Sequence, residues 1–159
     1  MPFFAPLFIM AAIQSDRLPP ANPVPLADQD TAAVMAPVNA VLAAINARDP
    51  TPAAEAIRPD ALAVAAVERP DGTRTVRRTT WREFSAGIRP GPERHEERLG
   101  DPAVEVDGDV AMVWSPYIFS VDGKIDHCGT DHFSLVRENG RWQIAAITWS
   151  QRSSGCTQP

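Results

Sequence analysis

Asp131 is the residue of this chain best placed to do chemistry. It ends the run His127-Cys128-Gly129-Thr130-Asp131, which continues into His132, Phe133 and the alternating Leu135. A carboxyl carried into apolar surroundings resists ionisation unless hydrogen bonds hold its charge, so it can trade a proton near neutrality. Hairpin counting sets two donors beside it, the Trp114 indole and the Thr148 hydroxyl. Two roles fit that arrangement. Asp131 is a general acid or base acting next to a carbonyl, or it is a structural aspartate tied to Trp114 and Thr148. His127 is the second candidate. Four residues along a strand span about 13 Å, so His127 meets Asp131 only if a bulge at Gly129 shortens the path. In a regular strand it stands at the cavity mouth beside Arg152, placed to meet a ligand.

No metal is expected. Cys128 and His132 share one parity while His127 and Asp131 take the other, and a tetrahedral site needs ligands that converge. The sequence has no phosphate-binding Gly-rich loop, no Gly-x-Ser-x-Gly elbow and no Cys-x-x-Cys pair, and no cofactor is expected.

Hairpins must position these residues. Asp107-Gly108, Asp122-Gly123 and Asn139-Gly140 each stand between apolar, β-branched or aromatic runs, and such pairs tolerate the positive φ of tight turns. They predict strands over Val110–Val121, Lys124–Glu138 and Arg141–Arg152. A two-residue turn at Asn139-Gly140 sets Leu135 opposite Ile144, Phe133 opposite Ala146 and Asp131 opposite Thr148. The Asp122-Gly123 turn likewise sets Trp114 opposite Asp131. Opposed side chains share a face. One face therefore holds Met112, Trp114, Asp131, Phe133, Leu135, Trp142, Ile144 and Thr148. This is the expected concave face, with Trp81 and Phe84 covering it, so the expected ligand pocket is Trp81, Phe84, Met112, Trp114, Phe133 and Thr148. The other face carries Val113, Tyr117, Phe119, Cys128, His132, Val136, Ile147 and Trp149. It is too apolar for water alone. A homodimer packed sheet to sheet is expected there, with the N-terminal segment or the C-terminal tail as alternative covers.

Upstream, Asp30-Thr31 opens a helix with Val34, Val38, Val41, Leu42 and Ile45 at helical spacing; Pro37 is expected in its first regular turn. A short helix from Pro52 to Ile57 is expected next, then strands over Ala61–Arg69 and Thr73–Thr80. Thr80 and Glu83 form a capping box for a helix carrying Trp81, Phe84 and Ile88. Glu93–Val106 reads as a strand broken near Gly100-Asp101-Pro102, and His95 sits in a charged run that reads as solvated.

At 159 residues and 44% hydrophobic content the chain has room for one domain with a real core, expected over 29–152, followed by a flexible tail at 153–159. A net charge of −5 argues against nucleic acid or an anionic membrane as partner, and no apolar run approaches spanning length. Residues 1–28 are set apart. Pro19 to Pro25 is too proline-rich for helix or central strand, and the apolar opening stretch is a signal-like segment lacking the usual basic start. The compartment stays open, exported or cytoplasmic. Cys128 and Cys156 are expected as free thiols; were they to pair, Cys156 must fold back, since Cys128 is expected opposite Gln151.

The stretch GDVAMVWSPYIFSVDGKIDHCGTDHFSLVRENGRWQIAAITWSQR, from Gly108 to Arg152, together with the amphipathic opening helix, resembles the nuclear transport factor 2-like superfamily. Within it the chain is similar to the SnoaL-like and putative lumazine-binding-like proteins. The resemblance implies an α+β fold, a cone-shaped curved antiparallel sheet wrapped around three N-terminal helices (a cystatin-like roll), enclosing an apolar cavity. Members include isomerases, dehydratases, cyclases and hydrolases alongside proteins that only bind or assemble, so the fold names no chemistry. Binding of a small apolar or aromatic molecule is the first functional expectation. A cofactor-free lyase or isomerase using Asp131 is the alternative. With only one well-placed ionisable residue in view, binding is favoured, because acid–base enzymes need a second group to stabilise developing charge.

Overall fold

The computed structural model describes residues 28–157. The signal-like segment and proline-rich linker expected before that lie outside the described residues. Helix α1 (Asp28–Ala47) runs unbroken through Pro37. An internal proline costs about 3 kcal/mol, but Val34, Val38, Val41 and Ala44 on one side of the helix are all fully or almost fully buried. Each buried valine returns about 1.5–3 kcal/mol, so the helix does not wait for Pro37 to begin. By length and composition Asp30–Ala47 is apolar enough to cross a membrane; here its apolar stripe packs on the sheet instead.

α1 ends on Arg48, whose φ of 55° is unusual for a residue with a side chain. The Arg48 and Asp49 amides donate to the Ile45 and Ala44 carbonyls, closing the last turn in the way a glycine commonly does. Arg48 tolerates the strain because its guanidinium is occupied. Nε donates to the Arg89 carbonyl (2.8 Å), and Nη1 to the carbonyl and carboxylate of Glu93 (3.1 and 3.2 Å).

The helix expected over Pro52–Ile57 shortens to a single 3₁₀ turn at Thr51–Ala53. The chain enters strand β1 (Ile57–Glu68) early because Ile57 and Ala61 fill the core. Pro59, with no N–H for the ladder, falls in the irregular stretch between Ile57 and Leu62. β2 (Arg74–Thr80) returns antiparallel and leads into α2 (Trp81–Ser85). Both halves of the expected capping box form: Glu83 N donates to Thr80 Oγ1 and Thr80 N to Glu83 Oε2. β3 (His95–Leu99) and β4 (Ala103–Asp107) divide where Gly100-Asp101-Pro102 was expected to break the strand, and both pair with β5 (Val110–Val121). β6 (Lys124–Glu138) and β7 (Arg141–Arg152) complete the sheet.

The strand order is β2-β1-β7-β6-β5, with β3 and β4 sharing the outer edge of β5. This is the cystatin-like α+β roll, with one pair, β1 and β7, parallel. Asp122-Gly123 and Asn139-Gly140 form the two-residue turns expected of them, each with positive φ at both positions. In the β4–β5 hairpin Asp107 faces Val110, so Gly108-Asp109 is the turn.

Two bulges correct the expected register. Between β5 and β6 the extra residue is Asp126, since Ser120 faces Ile125 but Phe119 faces His127. Between β6 and β7 it is Ala145, since Leu135 faces Ile144 but Ser134 faces Ala146. A one-residue slip moves every later side chain to the other face. Asp131 therefore lies opposite Ser115 and Trp149, not Trp114 and Thr148.

The cysteines are also corrected. Cys128 and Cys156 form a disulfide. Cys128 faces Arg152 across the sheet, and the chain folds back through Gly155, whose φ is +67°, to bring Cys156 to it.

Candidate functional site

The curved sheet, α1 and the α2 region enclose a cavity of about 450 Å³. Its sheet wall is the register-corrected inner face. Tyr117 and Phe119 come from β5, His127, Asp131 and Phe133 from β6, and Ile147 and Trp149 from β7. Val41 and Ile45 of α1 close one side, and Phe84 and Ile88 another; the Phe84 ring meets Trp149 edge-on at 5.7 Å.

Asp131 is 5% exposed, and its Oδ2 is buried without a hydrogen-bond partner. The residue directly opposite offers nothing, because the Ser115 hydroxyl is spent on the Pro116 and Gly100 carbonyls (3.0 and 3.4 Å). Burial pushes the Asp131 carboxyl well above the ordinary aspartate range, and the nearby Glu97 charge pushes it further. Glu97 lines the same cavity from β3, and burial raises its carboxyl to about 7. Tyr117 completes the group. Its hydroxyl donates to the Ser150 carbonyl (3.1 Å), and burial, then the charges of Asp131 and Glu97, hold it in its protonated form.

The expected site residues divide. Asp131, His127, Phe84 and Phe133 line the cavity. Trp81 is buried behind Phe84, with ring centroids 5.4 Å apart, and supports the wall without lining it. Trp114, Met112 and Thr148 do not belong to the pocket. The bulges at Asp126 and Ala145 turn β5 and β7 relative to β6, leaving Trp114 51% exposed on the outer face with Met112 and Thr148. The donors expected to tie down a structural aspartate are therefore absent from Asp131.

His127 stacks on Phe119 at 4.8 Å and meets Tyr117 edge-on at 5.7 Å, with Nδ1 2.7 Å from Asp126 Oδ2. No bulge occurs at Gly129, so the path between His127 and Asp131 is not shortened. Gly129 serves another purpose: a Cβ there would overlap the Ser150 carbonyl that Tyr117 uses. The HCGTDH run does not converge either. Cys128 is in the disulfide and His132 points outward beside the Trp114 ring. Among the described residues no three His, Cys, Asp or Glu side chains gather as metal ligands.

Tyr117, Phe119, Ile147 and Trp149, expected on the outer face, line the cavity instead, and two further pocket residues were missed, Glu97 and His95. The last of these lies edge-on to Phe119 at 5.2 Å. Glu97 and His95 were read as solvated because they sit in Glu-Arg-His-Glu-Glu-Arg. The usable signal was the alternation His95, Glu97, Leu99, a strand face that ends on an apolar residue.

Comparison with known proteins agrees with this fold. The family described as "Putative lumazine-binding" matches residues 29–150. Among solved structures, a nuclear transport factor 2-like protein of unknown function from Silicibacter pomeroyi is 18% identical with a TM-score of 0.58, covering 78% of this chain and 97% of its own. A protein of unknown function with a cystatin-like fold from Nostoc punctiforme is 14% identical with a TM-score of 0.59, covering 81% and 96%. A protein of unknown function from Mycobacterium tuberculosis reaches 25% identity and a TM-score of 0.57, covering 77% and 72%. No curated protein matches the sequence.

Proposed function

We propose that this chain, which belongs to the "Putative lumazine-binding" family within the nuclear transport factor 2-like superfamily, holds a small, largely apolar or aromatic molecule in its cone. One observation carries the reading: an aromatic-walled cavity of about 450 Å³ has Asp131 in its wall, a buried carboxyl with one oxygen that no protein group satisfies. Cavities of this size suit small organic ligands, whose orientation a few polar groups fix. An orphaned buried polar atom costs about 1–3 kcal/mol, and a ligand donor or acceptor at Asp131 would recover part of that.

A second reading is a cofactor-free lyase or isomerase with Asp131 as proton carrier. What favours it is the freedom of Oδ2 together with Glu97, the second ionisable group that hairpin counting did not supply. Asp131→Asn separates the roles. A proton carrier loses turnover while its melting temperature at neutral pH stays level or rises. A structural aspartate instead loses stability.

The outer sheet face supports a homodimer. Trp114, Val110 and Leu62 expose 51, 57 and 50% of their surface there, spread over strands β5 and β1. The Cys128–Cys156 disulfide supports export, because such bonds persist in oxidising compartments. Native mass spectrometry of the purified protein tests ligand and partner together. The expected spectrum shows a dimer retaining a co-purified small molecule. A bare monomer that also fails to take up an added neutral aromatic alcohol contradicts both readings.

A further inference from the structure

Arg48, Arg77 and Arg89 all reach the cavity wall, and the protein engages two of them. Arg48 donates to the Arg89 carbonyl and to the carbonyl and carboxylate of Glu93. Arg89 Nε donates to the Ala86 carbonyl (2.6 Å). The Arg77 guanidinium has no hydrogen bond or ion pair with another described residue. A cation beside an apolar cavity with no anion of the protein's own to meet is a place for a ligand's charge.

Strand pairing sets this arginine in one row with Asp131. Arg77 pairs with Ala65 of β1, Ala65 with Trp149 of β7, and Trp149 with Asp131 of β6. Residues opposed across neighbouring strands share a face. Arg77 and Asp131 therefore end a single row on the inner face, with the Trp149 indole between them, and all three line the cavity. β1 raises no bulky wall in that row, because its member is Ala65, which is fully buried. Three strand spacings separate β2 from β6, about 14 Å between backbones. The curve of the sheet and the reach of both side chains shorten that gap to the length of a small fused-ring body. The arginines beside Arg77 in sequence do not share its position. Arg78 pairs with Val64, whose β7 partner is Thr148 on the outer face. Arg74 is paired with Glu68, at 2.9 Å.

We propose that the cone's ligand is an aromatic acid, a flat fused-ring molecule with its anionic group against Arg77 and a hydroxyl or N–H at its far end against the Asp131 carboxyl. The proposal rests on the reading of the cone as a ligand cavity and adds the ligand's charge and its direction. The two ends of the row differ in kind. At β2 an exposed guanidinium offers forked N–H donors that match a carboxylate. At β6 the carboxyl is buried, and burial and the Glu97 charge favour its protonated form. A ligand anion turned toward Asp131 would enter a poorly solvated space with no counter-charge. The indole between the ends suits an aromatic ring.

The remaining polar groups of the wall leave the Arg77 end open to an anion. Glu83 also lines the cavity, but its carboxylate accepts from the Thr80 amide and hydroxyl (2.8 and 2.9 Å). The Thr79 hydroxyl donates to the Ala63 carbonyl (3.4 Å). Gln151 stands one row further on, paired with Val67, and brings a neutral amide. Arg89 adds positive charge from the segment after α2. His95 and His127 lie on β3 and β6, each beside a carboxylate, at 3.7 Å from Glu93 and 2.7 Å from Asp126.

The test is isothermal titration calorimetry of the full chain at neutral pH and low salt. The probes are 6-hydroxy-2-naphthoate, its neutral methyl ester, and 2-naphthoate, which lacks the hydroxyl. The native protein binds the hydroxy acid about tenfold tighter than the ester, and added salt shrinks that preference. It also binds the hydroxy acid tighter than 2-naphthoate. Arg77→Gln, folded by its melting curve, lowers the hydroxy acid to the level of the ester, and Arg77→Lys keeps part of the preference. Arg78→Gln, changed on the outer face, keeps all of it. A preference that survives in Arg77→Gln, or that Arg78→Gln removes equally, overturns the proposal. An ester bound as tightly as the acid overturns it too, and so does 2-naphthoate bound as tightly as its hydroxylated relative. Failure of all three probes to bind overturns the ligand reading of the cone instead.

Discussion

Replacing Glu97 by glutamine should remove a pH-dependent weakness from the fold. The Glu97 carboxyl rises from an ordinary 4.5 to about 7 on burial. Between those values the unfolded chain has released the proton and the folded chain still holds it. The unfolded state then binds fewer protons, and stability falls as pH rises through the window. At about 1.36 kcal/mol per pKa unit, the 2.5-unit difference costs the native protein about 3 kcal/mol by pH 8 relative to pH 4.5. Glutamine keeps the shape and carries no such cost, and losing the Glu97 charge also eases Asp131. Urea unfolding of both proteins from pH 4.5 to 8 measures the effect. The two stabilities should lie close at pH 4.5, and the variant should lead by about 3 kcal/mol at pH 8. For a domain of this size that is a melting difference of roughly 6–12 °C. Stability curves that stay parallel across the range would refute the burial of Glu97 and the reasoning built on it.

Other substitutions probe the frame of the site. Gly129→Ala pushes a methyl group into the Ser150 carbonyl, so thermal unfolding should show a loss of about 1–3 kcal/mol. Reducing the disulfide frees a loop of 28-residue separation; chain-entropy reasoning puts the loss at about 3–4 kcal/mol, measured by denaturation with and without reductant. Trp114→Glu charges the outer face without touching the cavity. If the outer face carries the proposed dimer, sedimentation should then report monomer for the variant and dimer for the native chain, with binding of an aromatic probe unchanged.

The hairpins and the α2 cap were legible because their chemistry is local: Asn-Gly, Asp-Gly and Thr80-x-x-Glu83 each state a backbone geometry. Asp131 was legible as inward-facing because it shares parity with Phe133 and Leu135 on its own strand, and the extra residue of the nearby bulge, Ala145, belongs to β7 and leaves that parity intact. Its neighbours were not. Asp126 and Ala145 take the extra-residue positions without any Gly or Pro to mark them, while Gly129, which looked like a bulge, is needed for close strand approach. Each bulge moved one expected donor to the outer face. The disulfide was obscured by the same register slip, which displaced Cys128 from Gln151 to Arg152. Glu97 was obscured differently, because nothing in a run of charges announces that Asn46, 51 residues earlier, pins that strand to the helix.

The central claim, that the cone receives an apolar molecule against Asp131, is tested most directly by a crystal soaked with a neutral aromatic alcohol such as 2-naphthol. The ring is predicted beside Trp149, Phe84 and Phe133, with its hydroxyl within hydrogen-bonding distance of the Asp131 carboxyl. Naphthol found only on the outer face, or a cavity closed by its own side chains with Oδ2 satisfied from within, would contradict the account.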